Sequence, residues 1–173
     1  NSSVACAAAA AIAGAVACAL QPATDLRDII QASVEAARIG EARGTLALGA
    51  SVARRIEFAV SLARDEMGDD DSRIQAIYDL IGTGLAASEA VPAAMGVVAL
   101  ADGDPMRAAV LAAELSGDAD TIGAMACAIC GAWEGIEAIP AEMRAQLRAA
   151  NPDYDFDAVA EGLFELASRT FAP

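Results

Sequence analysis

The chain has 173 residues and a formal net charge of −14, with 25 acidic against 11 basic side chains and no histidine. That length suffices for one domain with a real core. The charge argues against nucleic acid and against an anionic membrane surface as partners, since both need a basic face to displace counterions. Hydrophobic residues make up 56% and aromatics only 4%. Alanine supplies much of the apolar content, and small side chains let helices approach closely. A compact all-α bundle is expected, because Val, Ile and Thr are too scattered to build a sheet.

The opening run, "NSSVACAAAAAIAGAVACAL", predicts a helix over residues 3–20 that stops before Gln21-Pro22. It falls near the ~17–20 residues that a membrane span requires. Ala, Gly, Ser and Cys are only mildly apolar, so it reads as a buried core helix. A signal peptide would need a basic n-region, which is missing. The chain starts at Asn1 rather than Met, which is read as the mark of a fragment or a cleaved chain. Thr24 or Asp25 can cap a second helix with Ile29, Ile30, Val34 and Ala37 on its apolar side, and Gly40 and Gly44 flank a break. A longer helix follows over residues 45–67, with Val52, Ile56, Ala59, Val60 and Ala63 on one face.

Gly68-Asp69-Asp70-Asp71-Ser72 reads as a solvated loop, with Asp71 or Ser72 capping a short helix that ends between Tyr78 and Ile81. Gly82-Thr83-Gly84 breaks the pattern. The next helix starts near Ser88 and carries Pro92 in or near its first turn. Asp104-Pro105 is an N-cap followed by proline at the first helical position, and that helix ends near Ser116-Gly117. Helices over 121–133, 140–150 and 155–169 complete the chain, the last two separated by the turn Asn151-Pro152-Asp153. With no linker tract and no tandem repeat, residues 1–173 read as one domain.

The four cysteines, Cys6, Cys18, Cys127 and Cys130, all sit in Ala-rich runs. Cys127 and Cys130 form a C-x-x-C, but a zinc site would need a second ligand pair at matching spacing. Buried, reduced thiols acting as small apolar side chains are expected, in keeping with a cytoplasmic protein. Trp133 reads as a packing residue rather than a base-stacking one. Glu89 reads as a first-turn acid that favours the helix dipole.

"SGDADTIGAM" (116–125) puts two carboxylates and a hydroxyl at the mouth of an apolar helix. Like charges this close repel. Gly117 allows a sharp turn, ahead of which Asp118 and Asp120 can aim to one side with Thr121 beside them. Carboxylates with a hydroxyl are hard oxygen ligands suited to Mg²⁺, Mn²⁺ or Ca²⁺. Plain helix capping, with one acid as N-cap and the other near the positive end of the dipole, accounts for the same residues.

The surroundings of this motif resemble the ADP-ribosylglycohydrolase family. The resemblance rests on Gly117 to Ile122 as a G-D-x-D-T-I segment, on Gly131-Ala132-Trp133-Glu134-Gly135 and on Ala138-Ile139-Pro140. Upstream it takes in Gly82-Thr83-Gly84, Glu89-Ala90-Val91-Pro92 and the helix leading into the acidic turn. It is specific over residues 80–145 and looser over 1–80. Family sequences often read Gly-Gly-Asp where this chain has Ser116-Gly117-Asp118.

The resemblance implies an all-α fold around two divalent cations, Mg²⁺ or Mn²⁺, and hydrolysis of ADP-ribosyl glycosidic bonds. Carried over, Asp118, Asp120 and Thr121 match metal ligands, and Gly82, Thr83 and Gly84 line the substrate pocket or form a structural turn. The family's earlier acidic segments do not occur in these 173 residues. This chain is therefore expected to be the C-terminal part of the domain, with an N-terminal fragment of the same protein as its partner and a general acid/base in that fragment. Two other readings stay open. One is a hydrolase of another glycosidic or nucleoside-like substrate on the same framework; the other is a non-catalytic, crystallin-like member.

Overall fold

A computed structural model describes residues 1–170. Among these the chain forms nine α-helices and no strand, as an all-α chain should. It divides into two compact units, residues 1–138 and 139–173; the last three residues of the expected domain lie outside the described ones.

In the first unit, α1 (Ser3–Ala19) is capped by the Ser2 hydroxyl, which accepts the Ala5 N–H at 3.2 Å. It buries Ala7, Ala8, Ala11, Ala15 and Ala19, a stripe of small side chains that brings α2 (Leu26–Arg43) close. A Cβ on Gly14 would lie 2.6 Å from the Ala36 Cβ, and one on Gly40 would lie 2.8 Å from the Ala10 Cβ. Gly40 is thus a contact point inside α2 and not the flank of a break. The tertiary gain from close packing overrides its poor helix propensity.

The expected helix over 45–67 is shorter: α3 spans Val52–Ala63. Residues 45–50 are not helical, because the chain's start supplies hydrogen-bond partners. Thr45 N–H donates to the Asn1 carbonyl at 2.9 Å, and the Thr45 carbonyl accepts from Ser3 N–H at 2.8 Å. Ala47 N–H donates to the Ser3 hydroxyl at 3.2 Å. A helix there would forfeit these bonds.

α4 (Asp70–Leu80) starts earlier than expected, and its cap is Asp69, whose Oδ1 accepts the Ser72 N–H at 3.0 Å. Those hydrogen bonds from Ser72 hold the Asp69 carboxyl below its ordinary pKa. Asp70 and Asp71 fall in the first turn, where the helix dipole favours them. The acidic run is thus a helix start capped at Asp69, rather than a loop with Asp71 or Ser72 as the cap.

α5 (Ala87–Ala101) is the centre of the unit. Every residue from Ala90 to Ala101 is buried, so it is apolar all round, as a core helix must be. It packs against α1, α3, α6 (Pro105–Glu114) and α7 (Ala119–Glu134). Pro92 sits in its second turn. The Asp104 carboxylate caps α6, accepting the Met106 and Arg107 N–H groups at 2.8 and 3.1 Å. Trp133 lies over Gly103, whose φ of +84° and missing Cβ make room for the indole ring. A packing role for Trp133 follows. Residues 136–138 make one 3-10 turn after α7.

The second unit holds α8 (Ala141–Ala150) and α9 (Phe156–Thr170), neither of which contains a buried residue. The Arg148 guanidinium grips Asp157 with bonds of 2.8 and 2.7 Å, and the Tyr154 and Phe156 rings stack with centroids 6.3 Å apart.

Among the described residues no helix is long and apolar enough to cross a membrane. All four cysteines are free. Burial, with the charges of Cys127, Asp104 and Glu134 adding to it, pushes the Cys130 thiol up to about 12. Burial also raises Cys127.

Candidate functional site

The candidate site is built where the chain passes from α6 to α7. Leu115 is buried at the end of α6 and anchors the turn. Ser116 and Gly117 then both adopt the left-handed region, with φ of +65° and +72°. Two such residues in succession reverse the chain sharply and deliver Asp118 to the N-cap position of α7.

A second turn braces the first. Asp118 N–H donates to the Thr83 carbonyl at 2.7 Å, and a Cβ on Gly117 would overlap both the Thr83 hydroxyl and its carbonyl. Only glycine fits there, for the left-handed φ and for the close approach alike. Thr83 itself is buried. The Gly82-Thr83-Gly84 turn and the Asp118-Asp120-Thr121 turn, 34 or more residues apart in sequence, therefore lie side by side.

The capping explanation of the two acids can be tested against the other helices. Ser2, Asp25, Asp69 and Asp104 all accept amide N–H groups of the helices they precede. Asp118 occupies the same position but makes no such bond, as is also true of Ser51 before α3. Its Oδ1 accepts the Thr121 hydroxyl at 3.0 Å instead. Asp118 is half-buried, while Asp120 and Thr121 are exposed. The Asp118 carboxylate is thus not spent on the helix amides.

Three hard oxygen donors within four residues suit part of the shell of Mg²⁺ or Mn²⁺. Among the described residues no group of three or more Asp, Glu or Cys side chains is close enough to hold a metal ion. The turn by itself therefore makes an open, partial donor set. α7 keeps it rigid, since Ile122, Ala126, Ile129 and Cys130 are buried and the α6–α7 contact is tight at Gly123, where a Cβ would lie 3.3 Å from the Ala112 Cβ.

The sequence reading gave Glu89 only a helix-dipole role and missed Arg55 altogether. The Glu89 carboxylate, on the first turn of α5, accepts the Gly84 N–H at 3.0 Å. The Arg55 guanidinium, from α3, donates to the Ile81 carbonyl immediately before Gly82. An acid five residues after a Gly-x-Gly turn was the available signal for the first. Nothing local signals the second.

The acidic turn, its glycine brace and the all-α frame define a protein of one class, and comparison with known sequences gives it a family. The ADP-ribosylglycohydrolase family model matches residues 1–172, and the chain belongs to that family. It is 41% identical over 135 residues to the uncharacterized protein YegU of Escherichia coli (strain K12), covering 78% of this chain and 40% of YegU. The chain thus spans well under two thirds of the length of this relative. The family match runs over essentially the whole chain, so the expectation that these residues are only the C-terminal part of the fold is not borne out by it. No solved structure matches the chain significantly.

Proposed function

We propose that the acidic turn is one wall of a divalent-metal centre in a glycosidic hydrolase that releases ADP-ribose from a modified protein or small molecule. Family membership supports glycosidic hydrolysis. The observation that carries the metal reading is Asp118, the N-cap whose carboxylate leaves the helix amides alone and pairs with the Thr121 hydroxyl.

In this proposal Asp118 and Asp120 would hold the ions as charged ligands, and Thr121 would add a neutral oxygen. When bound, Mg²⁺ or Mn²⁺ supplies Lewis-acid polarisation at the ribose and at an attacking water. The side chains here cannot fill two octahedral shells. The remaining ligands and the carboxyl group that transfers the proton come from polypeptide outside these 173 residues. The Gly82-Thr83-Gly84 turn lies beside the carboxylates, where a substrate held over them would meet it. Its Thr83 carbonyl and Gly84 N–H are already engaged internally, so any backbone contact to substrate falls to the groups left over.

Asp120→Ala is the direct test. The side chain is exposed and its removal leaves the core intact, so helical circular dichroism should not change. Mn²⁺ binding, followed by electron paramagnetic resonance, should weaken by at least about tenfold, the loss of one charged ligand. Mn²⁺-dependent release of ADP-ribose by the protein assembled with the rest of its centre should vanish. Unchanged binding and turnover would overturn the proposal. Release of a free base or another sugar would move it to a different substrate on the same framework.

A further inference from the structure

We infer that Glu89 is a positioning residue for Asp118, acting through the Gly82-Thr83-Gly84 turn. The inference rests on the metal-centre reading above and concerns what holds that centre's geometry.

A first-turn acid that served only the helix dipole would leave its carboxylate in solvent. Even a capping-box glutamate reaches back only to the N-cap N–H. Glu89 stands three residues after the N-cap Ala86, yet its carboxylate passes the N-cap and accepts the Gly84 N–H at 3.0 Å. The turn is shaped around it. A Cβ on Gly82, where φ is +84°, would lie 2.7 Å from Glu89 Oε2, and one on Gly84 would lie 2.9 Å from the same oxygen. The next link is the Thr83 carbonyl, which this latch presents to the Asp118 N–H at 2.7 Å. Gly117 removes the side chain that would hold the two turns apart.

The result is a relay of two hydrogen bonds joined by the turn itself: carboxylate to Gly84 N–H, and Thr83 carbonyl to Asp118 N–H. Its foundation is α5, the most deeply buried helix of the unit. Glu89 thereby transmits the rigidity of the core to a carboxylate that must be held in place to bind an ion. It touches neither ion nor substrate.

Amide hydrogen exchange at Asp118 and Gly84 reads the relay without requiring metal or activity. In Glu89→Ala the Asp118 N–H should exchange about tenfold faster or more, as a local opening. Glu89→Gln, which keeps an acceptor oxygen, should restore protection. Gly84→Ala approaches from the other side: its Cβ displaces the carboxylate at a position without left-handed φ, and it stands in if Glu89→Ala does not fold. Ile77→Val, a core change on α4, controls for general destabilisation and should leave the Asp118 N–H as protected relative to its neighbours as in the wild type. Equal exchange at Asp118 in Glu89→Ala and wild type, or acceleration by the Ile77 control to the same degree, overturns the relay. Mn²⁺ affinity should fall with Glu89→Ala and recover with Glu89→Gln. If the wild type itself fails to bind Mn²⁺, the metal-centre reading falls while the exchange ratios still decide the relay.

Discussion

Ser116 shows how a single residue can carry a family departure and its physical consequence together. It holds φ of +65°, a conformation that disfavours a Cβ by roughly 1–2 kcal/mol. Glycine there pays back part of that gain in unfolded-chain entropy. Ser116→Gly is therefore expected to stabilise the protein by about 0.5–1 kcal/mol in urea melts. Gly117→Ala should do the reverse and more. Its new methyl meets Thr83 while the backbone stays left-handed, so a loss of about 2–4 kcal/mol is expected, with weakened Mn²⁺ binding. Cys130 sets an alkaline limit. Its folded pKa, about 12, is above the ordinary thiol value of 9.0. The neutral thiol's contribution is thus fully present below pH 9 and is lost as pH rises toward 12. Cys130→Ala should flatten that limb of the stability profile relative to wild type, measured by urea unfolding across pH 8 to 11.

At the scale of elements, what could be read from the sequence was what is decided locally. Asp25 before α2 and Asp104-Pro105 before α6 appear as caps in both sequence and structure, because a cap acts over three residues. The start of α3 could not be read that way. Its upstream residues form periodic helix-like sequence, but Asn1 and Ser3, over forty positions away, hold them out of a helix. Gly40 misled for the same reason, since its use is a contact with α1 that no window around it contains. The site divides along the same line. The acidic turn was legible as a motif, whereas the reach of Glu89 across its own N-cap and the donation from Arg55 depend on side-chain paths. The closeness of α1 and α2 makes a prediction at this scale. Gly14→Ala places a methyl 2.6 Å from Ala36 Cβ and should cost about 1–3 kcal/mol by forcing the two helices apart.

At the scale of the whole molecule, the charge of −14 opposes compaction. The ion pairs that offset it, such as Arg107 with Asp70 at 2.5 Å and Arg38 with Glu57 at 2.6 Å, are partly exposed and contribute little each. Moderate salt should therefore raise the melting temperature, by screening repulsion more than it weakens these pairs. The packing of Trp133 onto Gly103 gives a way to watch this happen in parts. The chain has one tryptophan, and it belongs to the unit of residues 1–138. Its fluorescence consequently reports on that unit, whereas far-ultraviolet dichroism sums every helix. Two melting curves that part company would reveal a pair of independently cooperative blocks; superimposed curves would make the chain a single thermodynamic body.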